Sequence, residues 1–230
     1  NQVGTVGSAL AAPLIVALKD GSGNPVANKP VVFKVMQDDG LVGDGGTPAP
    51  TAVVTTNAAG EARVQWTLGM RAGSGSNTLE AYAVGFAGTA VFTASGRQGA
   101  PAKIVVDTGD GQIGPIGQPL PRPLIAVVID DGNNRLGGVP VTFTVESGGG
   151  SFAGQPSVTV NSDSDGRVSA LLTLGLQEGN ANNLVSAQRD EVQFLKCLQG
   201  PVCEAARFVP LNASAQLVLM QGQEAWGPGP

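Results

Sequence analysis

The chain has 230 residues, 42% of them hydrophobic but only 13% charged, with a net charge of −5 and no histidine. That is enough apolar side chain for one or two cored domains. The charge pattern, which has no basic run, excludes nucleic-acid binding by phosphate neutralisation. No apolar stretch is long enough to cross a bilayer as a helix, so membrane insertion is not expected, and the absence of histidine removes every His-based triad or metal site.

The N-terminal stretch Gln2-Val-Gly-Thr-Val-Gly-Ser-Ala-Leu-Ala-Ala-Pro-Leu-Ile15 is not read as a signal peptide. It returns as Gln112-Ile-Gly-Pro-Ile-Gly-Gln-Pro-Leu-Pro-Arg-Pro-Leu-Ile125, 110 residues later, with seven of fourteen positions identical. The turn cluster Asp20–Pro25 follows, then Val31, Phe33 and Val35 on one side of a strand and Val32, Lys34 and Met36 on the other. This period of two marks a sheet with one buried face. A second turn, Asn57-Ala-Ala-Gly60, precedes the alternating Val64, Trp66 and Leu68. Gly99-Ala-Pro101 is expected to be a short, stiff hinge, and Ala102-Lys-Ile-Val-Val-Asp-Thr-Gly-Asp-Gly111 the first strand of a second unit.

In that unit Asp130, Pro140, Val141, Phe143 and Val145 keep the 110-residue spacing from Asp20, Pro30, Val31, Phe33 and Val35. After the turn Ser162–Gly166 the spacing is 106 residues, as in Gly60/Gly166, Leu68/Leu174 and Gly69/Gly175. One block of roughly 110 residues is present twice. Short strands separated by Gly-, Asn- and Asp-rich turns, without a convincing amphipathic helix, predict an all-β chain of two tandem immunoglobulin-like antiparallel β-sandwich domains. The expected boundaries are 1–98 for a sandwich lacking its own first strand, 99–214 for a complete one, and 215–230 for a tail. Arg189 to Phe208 is an insertion before the last strand, and Arg189 to Leu198 is the one stretch that would form a turn or two of helix.

Within the insertion, Cys197 and Cys203 are separated by five intervening residues. A zinc site wants four ligands and thioredoxin chemistry wants two intervening residues, so the pair reads as a loop-closing disulfide in an oxidising compartment. Gly109-Asp-Gly-Gln-Ile-Gly114 spells a dinucleotide-binding fingerprint, but Pro115 follows instead of a helix, and it reads as a turn. The acidic pairs Asp38/Asp39 and Asp130/Asp131 lie in turns without an aromatic sugar platform. Asp163, Asp165, Asp107 and Asp110 offer oxygen donors for calcium but lack the full ligand loop, and turn formation explains them. No catalytic, cofactor-binding or metal residue is assigned, no cofactor is expected, and the chain is not expected to be an enzyme.

The runs Asp131-Gly-Asn-Asn-Arg-Leu-Gly-Gly-Val-Pro-Val-Thr-Phe-Thr-Val145, Ser147-Gly-Gly-Gly-Ser-Phe152 and Ser162-Asp-Ser-Asp-Gly-Arg-Val168, with their first-unit counterparts Asp20 to Phe33 and Thr56 to Ala62, resemble the bacterial immunoglobulin-like domains of the invasin and intimin type. The resemblance covers nearly the whole chain and implies a rigid stalk element of a surface adhesin or secreted repeat protein, located outside the cell or on its surface. It does not by itself imply a function.

After the second unit, Gln216, Leu217, Val218, Leu219 and Met220 resemble the first strand that the first unit lacks, and Gly227-Pro228 lines up with Gly114-Pro115. Two arrangements follow. The chain is a window on a longer array of immunoglobulin-like repeats, or its tail is a donor strand that adds to the next molecule and joins copies head to tail. A structural module of a fibre, stalk or filament is the leading expectation. An adhesin module that binds a host receptor or glycan through 189–208 is the alternative.

Overall fold

A computed structural model describes residues 1–179 and 181–189 together with the backbone of Ala206–Phe208. The chain is all-β and divides into two compact units, Asn1–Ala102 with Ile129–Arg135, and Lys103–Val128 with Leu136–Pro230.

The first unit opposes a five-stranded and a three-stranded sheet. In the larger, β1 (Gln2–Thr5), β8 (Ala90–Arg97), β7 (Gly73–Ala83), β3 (Pro30–Gln37) and β5 (Thr51–Thr55) lie in that order. The smaller has the order β2 (Leu14–Ala17), β6 (Glu61–Thr67), β4 (Leu41–Gly43). All pairings are antiparallel except β1 with β8, which is parallel. The alternation read from the sequence places the core. Val31, Phe33, Val64, Trp66 and Leu68 are buried and meet Leu10, Leu14, Leu79 and Ala81 between the sheets. The intervening Lys34 and Arg63 face solvent.

The second unit repeats the plan with β10 (Leu124–Ile129), β11 (Pro140–Ser147), β12 (Ser157–Asn161), β13 (Arg167–Ala170) and β14 (Leu184–Arg189). Its sheets have the orders β13-β10-β9 and β12-β11-β14-β15, where β9 is Lys103–Thr108 and β15 is Ala206–Phe208. Val141, Phe143, Val168, Leu172 and Leu174 form a core of their own with Leu124, Phe152 and Val185. The Phe143 and Phe152 rings pack at 6.0 Å and a tilt of 56°, a favourable edge-biased geometry.

Buried polar groups repeat along with the apolar ones. Thr56 Oγ1 accepts from Lys29 N–H and donates to Val26 C=O. Ser162 Oγ does the same with Val139 and Leu136. The Asp20 carboxylate closes its turn by accepting from the N–H groups of Ser22 and Asn24, and Asp130 does so from Gly132 and Asn134. Asn57 and Asp163 close the second pair of turns in the same way. These are side-chain substitutes for turn hydrogen bonds, the reason Asx residues mark such turns.

Candidate assembly edge

The two units differ at one edge of their smaller sheets. In the second, β10 is flanked by β13 on one side and β9 on the other. Ala102 N–H donates to Ile129 C=O at one end of β9, and Gly109 lies against Pro123 at the other, so β9 runs antiparallel to β10. In the first unit, β2 pairs with β6, and among the described residues nothing pairs with its other edge. Leu18 N–H reaches Gly60 C=O, so alternation along the strand turns the N–H groups of Ile15 and Ala17 to that free edge.

Four contacts hold β9 in place. Ile104 is buried and enters the core cluster with Leu124, Ala126 and Val128. Asp107 meets Arg167 at 2.8 Å, and this carboxylate keeps the guanidinium pKa above its ordinary value. Gly109 has φ +90, and a Cβ there would stand 2.1 Å from Pro123 O, so both its conformation and its close approach require glycine. The fourth contact is the Gln112 side-chain amide, 5% exposed. It donates to Gly109 C=O (2.7 Å) and Arg122 C=O (2.8 Å) and accepts from Arg122 N–H (2.9 Å).

The first unit repeats part of this arrangement around β2. Gln2 Nε2 donates to Ala12 C=O at 2.8 Å and its Oε1 accepts from Ala12 N–H at 3.1 Å, 110 residues before the Gln112–Arg122 pair. Among the described residues no bond corresponds to Gln112–Gly109. Val16 and Leu18 only partly bury themselves on the core, whereas their counterparts Ala126 and Val128 are 0% exposed. Ile15 is 42% exposed, and Ala17 is open where Val127 is covered. Glu61 stands at the place of Arg167, paired with Ala17 as Arg167 is with Val127.

The expected site residues are distributed as follows. Cys197, Cys203 and the candidate donor strand Gln216, Leu217, Val218, Leu219 and Met220 lie outside the described residues. Of the 189–208 insertion, Arg189 ends β14 and Ala206–Phe208 forms β15 against β14; the rest lies outside as well. Asp163 is occupied as a turn acceptor and Asp107 by Arg167. Asp130 is 1% exposed. Burial pushes its pKa up, but hydrogen bonds from the Asn134 side chain and from the N–H groups of Gly99, Asn134 and Gly132 outweigh this and hold it below the ordinary carboxylate value. In the first unit a groove lined by Val3, Ser74, Ser95, Arg97 and Gln98 contains no carboxylate to pair as acid and base. Sequence reasoning missed the glutamine clamp, although its signal was present: Gln2/Gln112 is the polar identity in a fourteen-residue stretch otherwise matched through Gly, Pro and aliphatic positions.

No family model matches the chain, and no curated protein does. Among solved structures it is similar to invasin, described as a bacterial integrin-binding protein, at 19% identity over 81% of this chain and 34% of that one, with a TM-score of 0.36. It is similar to InvD of Yersinia pseudotuberculosis at 17% identity over 96% of this chain and 58% of that one, TM-score 0.38. A third likeness is to domains 4–9 of the surface layer protein SbsC, at 15% identity over 93% and 30% of the two chains, TM-score 0.27. The chain thus spans about a third of invasin and somewhat over half of InvD.

Proposed function

We propose that the chain is a non-catalytic structural module of an extracellular bacterial fibre, stalk or filament, joined to its neighbours by β-strand addition. The observation that carries this reading is the difference between β10, flanked on both sides, and β2, flanked on one. An open sheet edge presents unpaired N–H and C=O groups that bind an added strand through the main chain. Because the edge and the donor segment are different surfaces, each contact leaves another of the same kind available, and such association grows instead of closing. A surface finished with few charges suits close stacking of copies. Partners are then other copies of the chain or adjoining repeats of the same build.

Electron microscopy and sedimentation of the full chain test the reading, beside a variant lacking residues 215–230. The full chain is expected to form extended end-to-end particles as concentration rises, and the deletion to remain as single copies. Particles of equal length from both would overturn it.

A further inference from the structure

We infer that the free edge of β2 is a built acceptor for one segment in one register: residues 215–222 of a second copy, lying antiparallel to β2 as β9 lies on β10. This rests on the strand-addition reading above and specifies its geometry.

Aligned at a constant 113 residues, Ala102, Val105 and Gly109 have the identical partners Ala215, Val218 and Gly222, and Ile104 and Val106 have Leu217 and Leu219. Two of these matches meet requirements of the site. Leu217 takes the place of Ile104, the β9 side chain that is buried, and so covers Val16 and Leu18, which the first unit leaves partly exposed. Gly222 takes the place of Gly109. Its counterpart approaches Pro123 so closely that any Cβ would collide, and Pro13 occupies the Pro123 position on the acceptor. The carbonyl of Gly222 then accepts from Gln2 Nε2, forming the third bond that Gln112 already makes to Gly109.

The charges agree as well. Asp107 pairs with Arg167 in the second unit. The first unit has Glu61 where Arg167 would be, so a copy of β9 laid on β2 would set Asp against Glu. The 215–222 segment carries Met220 at that position and avoids the repulsion.

The test uses full-length chains and the concentration dependence of end-to-end association, measured by sedimentation. Gly222→Val is expected to weaken association at least about tenfold, on the scale of a forced left-handed residue. Met220→Asp is expected to weaken association several-fold at low salt, and Met220→Asp combined with Glu61→Arg to recover it, because the pair recreates Asp107–Arg167. Wild-type association by Gly222→Val, or no recovery in the double variant, while deletion of 215–230 still abolishes association, would refute this register and leave strand addition standing. Association that survives the deletion would remove both, and so would a full chain that stays single at every concentration.

Discussion

At the scale of single residues, the two glutamine clamps measure what an added strand contributes. Gln112 is buried with three hydrogen bonds, two to the exposed Arg122 and one to the C=O of the buried Gly109, and it is the last that Gln112→Ala leaves as a buried acceptor without this partner. Buried groups left unsatisfied cost about 1–3 kcal/mol. Gln2 is half-buried and makes two bonds, to main-chain groups of Ala12 that water reaches. Thermal unfolding is therefore expected to show Gln112→Ala destabilising by about 2 kcal/mol and Gln2→Ala by under about 1 kcal/mol. Equal losses would mean that the third bond carries no weight. The identity of the two glutamines was legible as a repeat, but their role was not. A side-chain amide imitating a strand is recognised only when its partner ten residues on is brought beside it.

At the scale of elements, alternation along β3, β6, β11 and β13 was readable because each strand has one buried face, and one buried face forces period two. The turns were readable for the same reason that they form: Asp20, Asn57, Asp130 and Asp163 each accept two main-chain N–H groups of their own turn, a geometry open to short polar side chains. Less legible was the fate of the repeated N-terminal stretch. Gln2–Thr5 forms β1 beside β8, yet Gln112 to Pro115 is not a strand. Pro115 stands where Thr5 does, and a proline has no N–H to give a ladder. The separate cores make a further prediction. Phe33→Ala and Phe143→Ala each empty a fully buried site, at about 3–5 kcal/mol. Calorimetry should show each variant lowering a different one of two unfolding transitions, whereas one merged core would shift a single transition in both.

At the scale of the whole molecule, the repeat fixes what the sequence could and could not disclose. Matching Gln2–Ile15 to Gln112–Ile125 revealed that one sheet-forming block occurs twice, and most buried positions of one core have a buried counterpart in the other. It also revealed a phase: β9 has its sequence counterpart at 215–222, after the second unit, while the edge that such a strand would complete lies in the first. What the sequence alone did not reveal were the features of this edge on which the proposal rests: Gln2 bonded to Ala12, Val16 and Leu18 incompletely covered, and Glu61 opposite Ala17 where Arg167 stands opposite Val127. These are differences between corresponding positions, and they acquire meaning only when both sheets are seen side by side.

Hydrogen exchange at Ile15 and Ala17 tests the central claim most directly, because their N–H groups point to the free edge of β2. In associated wild-type chains both amides should become protected, to the degree shown by Ile125 and Val127 on β10, and in Gly222→Val at the same concentration they should exchange freely. Rapid exchange at Ile15 and Ala17 in the associated chains would contradict strand addition at this edge.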